Sequence, residues 1–368
     1  MKIAIDASRA FIQDRTGIEE YAYQVIRNLR GKLGKNQVIL YAYRGAHKQL
    51  DFDLPPNWEL KEIKFNNLWT QLGLSWAIKN DTPDVLFVPA HNLPWIHPKN
   101  SVVTIHGLEY EHFPESYGIV SVLFHRFFIK KSCQWASKLI AVSEVTKKDL
   151  KKYYNVSGEK VTVIANGFSV SDKANNNEVR KEVKRIAQKR FCLFLGRLEL
   201  RKNIGNIAKA FDLLKTKYGY EGQLILAGKP GYGYEEIKKI IKGLASKQFI
   251  KEIGYLVISE KELLLSQADI LFFPSLAEGF GIPILEAQSM GVPVITSNYG
   301  PMDEVAGDKN IVVDPQNPKK IAKLAHKIIS DNNFRQKIII AGRENVKRFS
   351  WDKCAREVAM VILNETKQ

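Results

Sequence analysis

The sequence predicts an α/β protein of two doubly wound, Rossmann-like domains, and three observations carry that expectation. Short aliphatic runs recur along the chain, each followed by a loop and a helix-like stretch, which is the signature of parallel βαβ units. A polar break near residue 170 divides these runs into two series. At 368 residues the chain is too long for one ordinary open sheet and comfortable for two cores.

The first series of strands is Ile3–Ile5, Val38–Tyr41, Val85–Val88, Val102–Ile105, Leu139–Val142 and Val161–Ile164. The second opens at Phe191–Leu195 and continues through Leu224–Ala227, Ile270–Phe273, Val294–Thr296 and Ile311–Val313. Between them Ser171 to Asn177 is polar apart from one alanine and reads as the linker, which sets an N-terminal domain at 1–170 and a C-terminal one at 171–350. Ligands of doubly wound sheets sit beyond the carboxyl ends of the strands. A cleft between the two halves is therefore the expected site.

Composition narrows the class. Hydrophobic residues make up 45% and charged residues 26% of the chain, as in water-soluble globular proteins. No apolar run approaches the roughly 20 residues of a spanning helix, and Met1 to Asp6 reads as a buried strand rather than a signal peptide. Cys133, Cys192 and Cys354 are odd in number and outside any metal-ligand pattern, so neither a disulfide framework nor a zinc site is expected, and a reducing cytoplasm fits. The net charge of +16 predicts attraction to a polyanion: nucleic acid, anionic lipid or a phosphorylated ligand.

The most informative stretch runs from Phe273 to Pro293. A strand gives way at Ser275 to a glycine-rich loop, Pro283 stands at the first helical position, and Gly291 followed by Pro293 closes a helix of about two turns. Such a helix N-terminus favours an anion, and Gly279 and Gly281 let a phosphate approach the backbone. Glu278 precedes the helix and Glu286 lies on it, so the two carboxylates can serve different parts of one extended ligand. Sugar hydroxyls suit them, since an ionised carboxylate accepts two hydroxyls at once. A second constellation, Gly196 to Asn203, follows the first strand of the second series and leads into a helix-like run from Ile204 to Tyr218. Its Arg197 and Lys202 offer a forked guanidinium and a flexible ammonium, which suits a diphosphate.

Gly196-Arg197 followed by Arg201-Lys202-Asn203, then Glu278 and Glu286 with seven residues between them, resembles the GT-B glycosyltransferases of family 4, a retaining group that includes many bacterial mannosyl- and glucosyltransferases. The resemblance covers nearly the whole chain and extends to Gly17 to Tyr21, His106-Gly107-Leu108, Pro114 to Tyr117, Val142-Ser143-Glu144, Asn166-Gly167 and Gly254-Tyr255-Leu256. It implies that Arg197 and Lys202 bind the donor diphosphate, Glu278 a donor-sugar hydroxyl and Glu286 the ribose, with backbone amides from Gly279 through Phe280, Gly281 and Ile282 holding sugar and phosphates. Gly17 would allow close approach of donor phosphates or acceptor, and His106 would touch the sugar near the reaction centre. The last helix, 351–368, would cross back to the first domain.

The implied activity is metal-independent and cofactor-free transfer of a hexose, mannose slightly favoured, from a nucleoside-diphosphate sugar to a glycan or lipid-linked acceptor in cell-surface polysaccharide synthesis. Family members often carry Pro-Asn-Gly where Ala165-Asn166-Gly167 stands, and Val257-Ile258-Ser259 lacks the acidic residue near which some members bind guanine, so GDP and UDP both stay open. Asp51-Phe52-Asp53 matches a manganese-binding pattern but lies in a polar connection away from the strand-end sites, and no metal is expected there. Gly228 to Gly233 is read as a loop near the nucleotide base. His91, His112 and His125 are read as hydrogen-bonded structural residues.

The run from Ser121 to Lys138 mixes aromatic, aliphatic and basic residues. It is either a helix packed on the first sheet or one that touches an anionic membrane peripherally, at the inner face of the cytoplasmic membrane. The basic run Arg180 to Arg190 reads as a solvated helix face. A nucleotide-sugar epimerase of the same architecture is the alternative enzyme. A nucleic-acid-binding protein is the non-enzymatic one, but the basic residues are dispersed and no RNA motif is present, so nucleic acid is not an expected partner.

Overall fold

In the computed structural model, which describes residues 1–13, 15, 17–65, 68–169 and 179–365, each series of runs forms a parallel sheet. The first contains β1 (Lys2–Asp6), β2 (Gln37–Tyr43), β3 (Trp58–Ile63), β4 (Val85–Val88), β5 (Asn100–Ile105), β6 (Lys138–Ala141) and β7 (Val161–Val163), in the order β3-β2-β1-β4-β5-β6-β7. The second contains β8 (Phe191–Leu195), β9 (Gln223–Ala227), β10 (Ile250–Gly254), β11 (Ile270–Phe273), β12 (Val294–Ser297) and β13 (Val312–Val313), in the order β10-β9-β8-β11-β12-β13. Both are Rossmann-like sheets with the same winding. The strand order reverses between β1 and β4 in one and between β8 and β11 in the other, and these switch points are where such sheets open a crevice for ligands.

Helices connect the strands. The first unit has α1 (Gly17–Leu29), α2 (Ser75–Asp81), α3 (Glu109–His112), α4 (Ile119–Trp135) and α5 (Glu144–Tyr154). The second has α6 (Lys181–Ala187), α7 (Ile204–Thr216), α8 (Tyr234–Lys242), α9 (Ile258–Gln267), α10 (Ile282–Ser289), α11 (Met302–Ala306), α12 (Pro318–Ser330) and α13 (Asn332–Val346), and the described chain ends with α14 (Trp351–Asn364). α1 shows why these form: Glu19 and Glu20 favour its N-terminal dipole end, and Tyr21, Ala22, Val25, Ile26 and Leu29 recur on one face, which the sheet buries.

Contacts gather the chain into two units, Met1–Glu111 with Ile119–Ser169 and Phe349–Gln368, and His112–Gly118 with Val170–Arg348. α14 belongs to the first of these. Its Cys354, Ala355, Val358, Ala359 and Ile362 join the core made by β1, β2 and α1. Ser350 caps its start by accepting a hydrogen bond from the Lys353 amide. The Gly167 backbone lies so close that a Cβ there would stand 2.4 Å from the Trp351 nitrogen.

Three features differ from the sequence reading. β3 and β10, each at the edge of its sheet, were not expected as strands. The helix expected over Ser121 to Lys138 spans Ile119–Trp135 instead, and β6 begins at Lys138. Arg180 stands at the N-cap of α6 rather than on the helix and, though still exposed, grips Glu260 with its guanidinium at 2.7 Å and donates to the Ile253 and Tyr255 carbonyls. The linker expected at Ser171 to Asn177 lies outside the described residues. No helix among the described residues is long and apolar enough to cross a membrane.

Candidate active site

The switch point of the second unit brings together the residues singled out from the sequence. β8 runs into Gly196 and Arg197, and β11 runs into the loop that carries Glu278. Two glycines make the first turn close enough: Gly196 (φ 142°) and Gly228 (φ 155°) both lie in the left-handed half of backbone space, and a Cβ on Gly228 would fall 1.8 Å from the Gly196 carbonyl oxygen. The loop after β9 is thereby laced to the loop after β8, with Leu198 donating to the Lys229 carbonyl at 2.8 Å and Gly231 to that of Leu198 at 2.9 Å. Arg197 is exposed, its methylenes lie against Gly231, and among the described residues its guanidinium has no ion-pair partner.

From there the chain makes a tight turn and ends it at Asn203, in the left-handed conformation at φ 63°. The Asn203 side-chain amide donates to the carbonyls of Pro274 (3.0 Å) and Pro315 (2.7 Å), and the Leu276 backbone N–H donates to the Arg201 carbonyl at 2.8 Å. These bonds fix the Arg201-Lys202 pair against the Glu278 loop. Lys202, only 9% exposed, donates its ammonium to the Glu278 carboxylate at 2.5 Å. Arg201 stands 3.5 Å from the other carboxylate oxygen, pairs with Glu199 at 2.7 Å and donates to the Ala277 carbonyl at 3.0 Å.

Burial pushes the Glu278 carboxyl upward, but Lys202 and Arg201 outweigh it and hold the group below its ordinary value. It is a carboxylate at neutral pH. With Glu199 also on Arg201, this strand end sets two carboxylates against three cations, Arg197, Arg201 and Lys202, a net positive charge of the kind that suits a diphosphate.

α10 begins just past Glu278. Gly281 (φ 107°) is its N-cap and Ile282 its first residue, so Pro283 stands second rather than first. Proline is tolerated there because the first four amides of a helix have no partner within it. Met290 and Gly291 (φ 70°) end the helix after eight residues. Gln288 and Asn345 tie α10 to α11 and α13 from below: Asn345 donates to the Gln288 side-chain oxygen at 2.7 Å, and Gln288 to the Ala306 carbonyl at 2.9 Å. Glu286, on the opposite side of α10, accepts from Lys261 of α9 at 2.7 Å.

Sequence reasoning passed over the second cation on Glu278, Arg201, and the partner of Glu286, Lys261. Arg201 sits inside the quoted motif, so its neighbours could have flagged it. Lys261 carries no local signal.

In the first unit His106 follows β5 and is 8% exposed. Its Nε2 lies 2.7 Å from the Pro89 carbonyl, and since a carbonyl only accepts, that nitrogen carries the proton. Burial holds its pKa down to about 4 against the opposing pull of that bond and of Glu19, so the ring is neutral at pH 7. Gly17 opens α1, and a Cβ there would meet nothing within 4 Å. Asp51 accepts a hydrogen bond from the Tyr23 hydroxyl. Among the described residues no group of three or more His, Cys, Asp or Glu side chains could hold a metal ion.

Comparison with known proteins gives this geometry a setting. The model of glycosyltransferase family 4 matches residues 15–172, and that of the glycosyl transferases group 1 matches residues 175–345. The chain is 26% identical over 287 residues to O-antigen chain mannosyltransferase B of Escherichia coli, covering 77% of this chain and 75% of that protein. It is 27% identical over 248 residues to the O-antigen chain mannosyltransferase RfbU of Salmonella typhimurium, covering 67% of this chain and 65% of that one. Among solved structures, a sucrose-phosphate synthase from Thermosynechococcus elongatus superposes with a TM-score of 0.73 at 17% identity over 99% of this chain and 98% of that one. The HepE protein of Anabaena, in complex with UDP-glucose, gives 0.71 at 18% identity over 99% and 100%.

Proposed function

Because the chain belongs to the group 1 glycosyltransferases of family 4 and has the GT-B fold, we propose that it moves a hexose, with mannose slightly favoured, from a nucleoside-diphosphate sugar to a glycan or lipid-linked acceptor with retention of configuration. The observation that carries this reading is the buried Glu278 carboxylate held between Lys202 and Arg201 at the end of β8 and β11, beside the unpaired Arg197. Arg197 and Lys202 take the donor diphosphate. Glu278 orients the sugar, and Glu286 accepts from the ribose hydroxyls. The amides from Gly279 through Phe280, Gly281 and Ile282 hold sugar and phosphate oxygens at the positive end of α10. From the first unit, Gly17 leaves room for phosphate or acceptor and the neutral His106 contacts the sugar.

The mannosyltransferase names of the relatives support mannose as the sugar, and the UDP-glucose complex of HepE keeps a UDP-sugar in view. α4 supports a peripheral contact with anionic membrane at the cytoplasmic face: Ile119, Val120, Leu123, Phe124 and Phe127 are all exposed, and Lys130 and Lys131 lie on the same helix.

Diphosphate charge met by Arg197, Lys202 and a helix end needs no divalent ion. In thermal-shift screening against GDP-mannose, UDP-glucose and a UDP-hexosamine in EDTA, one donor should raise Tm. Transfer from that donor should survive the chelator and give a product of unchanged anomeric configuration by NMR. Activity abolished by EDTA and restored by manganese would sink the metal-independent assignment, and an inverted product the retaining one.

Glu286→Ala should weaken donor and free nucleotide alike by about 1.5–3 kcal/mol, as for the loss of charged hydrogen bonds. Calorimetric titration with the nucleoside diphosphate reads this directly. Unchanged affinity would take Glu286 out of the ribose site.

A further inference from the structure

Lys202 has two anions to serve. Its ammonium holds the Glu278 carboxylate at 2.5 Å, and in the reading above it also takes the donor diphosphate. An ammonium has three protons and can touch both, but attraction directed at a phosphate is lost to Glu278, and the phosphate charge itself repels the carboxylate. The Glu278 side chain is 10% exposed, and an ionised carboxylate in such a place is strongly disfavoured without a counter-charge. It would draw a proton, and the charge that its role requires would be gone.

Arg201 is built to prevent this. Its Nη1 stands 3.5 Å from Oε2 of Glu278 and donates to the Ala277 carbonyl at 3.0 Å, while its Nε pairs with Glu199 at 2.7 Å. A planar guanidinium gripped on two edges has one orientation, and it keeps its charge at every working pH. Lys202, by contrast, is a point charge on a flexible four-carbon stem. Glu199 has no place in the roles above. A buried carboxylate two residues from Arg197, its side chain 7% exposed, only weakens a diphosphate site unless it has another task. The turn fixes it, since the Lys202 backbone N–H donates to the Glu199 carbonyl at 3.1 Å, and there it occupies the edge of Arg201 that could otherwise turn to a phosphate.

We propose that Arg201, braced by Glu199, is a positioning residue: it is the resident counter-charge of Glu278, holding that carboxylate ionised and in place while Lys202 turns to the donor diphosphate. Glu199 keeps Arg201 from joining the phosphates. The proposal rests on the reading of Lys202 as a diphosphate ligand. It is tested without an acceptor. GDP and UDP are titrated calorimetrically into wild type, Arg201→Gln, and the paired change of Glu199→Gln with Arg201→Gln, each with and without Glu278→Gln. Without Arg201, Lys202 cannot turn away without stranding a buried carboxylate. Arg201→Gln should therefore weaken the nucleotide that wild type binds by about tenfold, although Arg201 does not touch it. With Glu278→Gln present no charge is left to strand, and the same change should alter affinity by less than about twofold.

If Arg201→Gln fails to fold because Glu199 is left buried and alone, the paired change, which removes both charges, decides in its place with the same expected result. Equal losses with and without Glu278→Gln would show that Arg201 grips the diphosphate itself, and no loss in either would reduce it to a brace for the loop. Each outcome overturns the proposal. A purely structural Arg201 would move Tm but would not make the loss of affinity depend on the Glu278 charge. Wild type that binds neither GDP nor UDP sinks the donor reading and this proposal with it, whereas nucleotide binding without that dependence sinks this proposal alone.

Discussion

Replacing Glu278 by Gln should lower kcat by about 10²-fold or more while leaving nucleoside-diphosphate affinity nearly unchanged. In a retaining transfer of the family type, the acceptor attacks from the face that the diphosphate leaves, and a leaving-group oxygen takes its proton. No carboxylate nucleophile is then needed. The task left to Glu278 is to face the positive charge that develops at the anomeric carbon, and its ionisation at neutral pH is secured by Lys202 and Arg201 against the cost of burial. Glutamine keeps the size and most of the hydrogen bonds but not the charge.

The same change removes the partner of a Lys202 ammonium that is 9% exposed, so some loss of Tm is expected as well. Single-turnover rates on protein shown to be folded by circular dichroism separate the two effects. Wild-type turnover would remove the motif from the active site. A loss confined to nucleotide affinity, with Glu286→Ala losing only turnover, would show the two glutamate roles to be reversed.

Gly167→Ala should destabilise the protein by about 3 kcal/mol, at the upper end for overpacking, because the new methyl group would meet backbone on the far side rather than a movable side-chain tip. The clash is with the Trp351 nitrogen at 2.4 Å and its Cα at 2.5 Å, where α14 starts. Helix and loop cannot both keep their places. For a unit of this size the loss corresponds to a fall in Tm of roughly 6–12 °C. Differential scanning calorimetry checks it, and a wild-type Tm would mean that α14 shifts without cost.

What the sequence revealed depended on whether a signal was local. The central strands of both sheets are buried on both faces and were legible as aliphatic runs. β3 and β10 were not, because Trp58-Glu59-Leu60-Lys61-Glu62-Ile63 and Ile250-Lys251-Glu252-Ile253 interleave charges, as edge strands do where one flank faces no neighbour. Glu278, Lys202 and Glu286 stood out through motif spacing, although their partners did not. The Lys261–Glu286 pair spans 25 positions and the Arg201–Glu278 contact joins two separate loops, so neither exists before the chain folds.

The placement of α14 also sets an order of events during synthesis. One wall of the first core is supplied by Cys354, Ala355, Val358, Ala359 and Ile362, which the ribosome makes only after the whole second unit. At ordinary elongation rates the wait for those intervening residues, about 180 of them, is roughly 10–40 s. Throughout it the Tyr21 ring, which packs edge-on against Trp351 at the start of α14, and the part of the first core that α14 closes lack that cover, which makes the nascent amino-terminal half a natural client for chaperones that hold apolar surface.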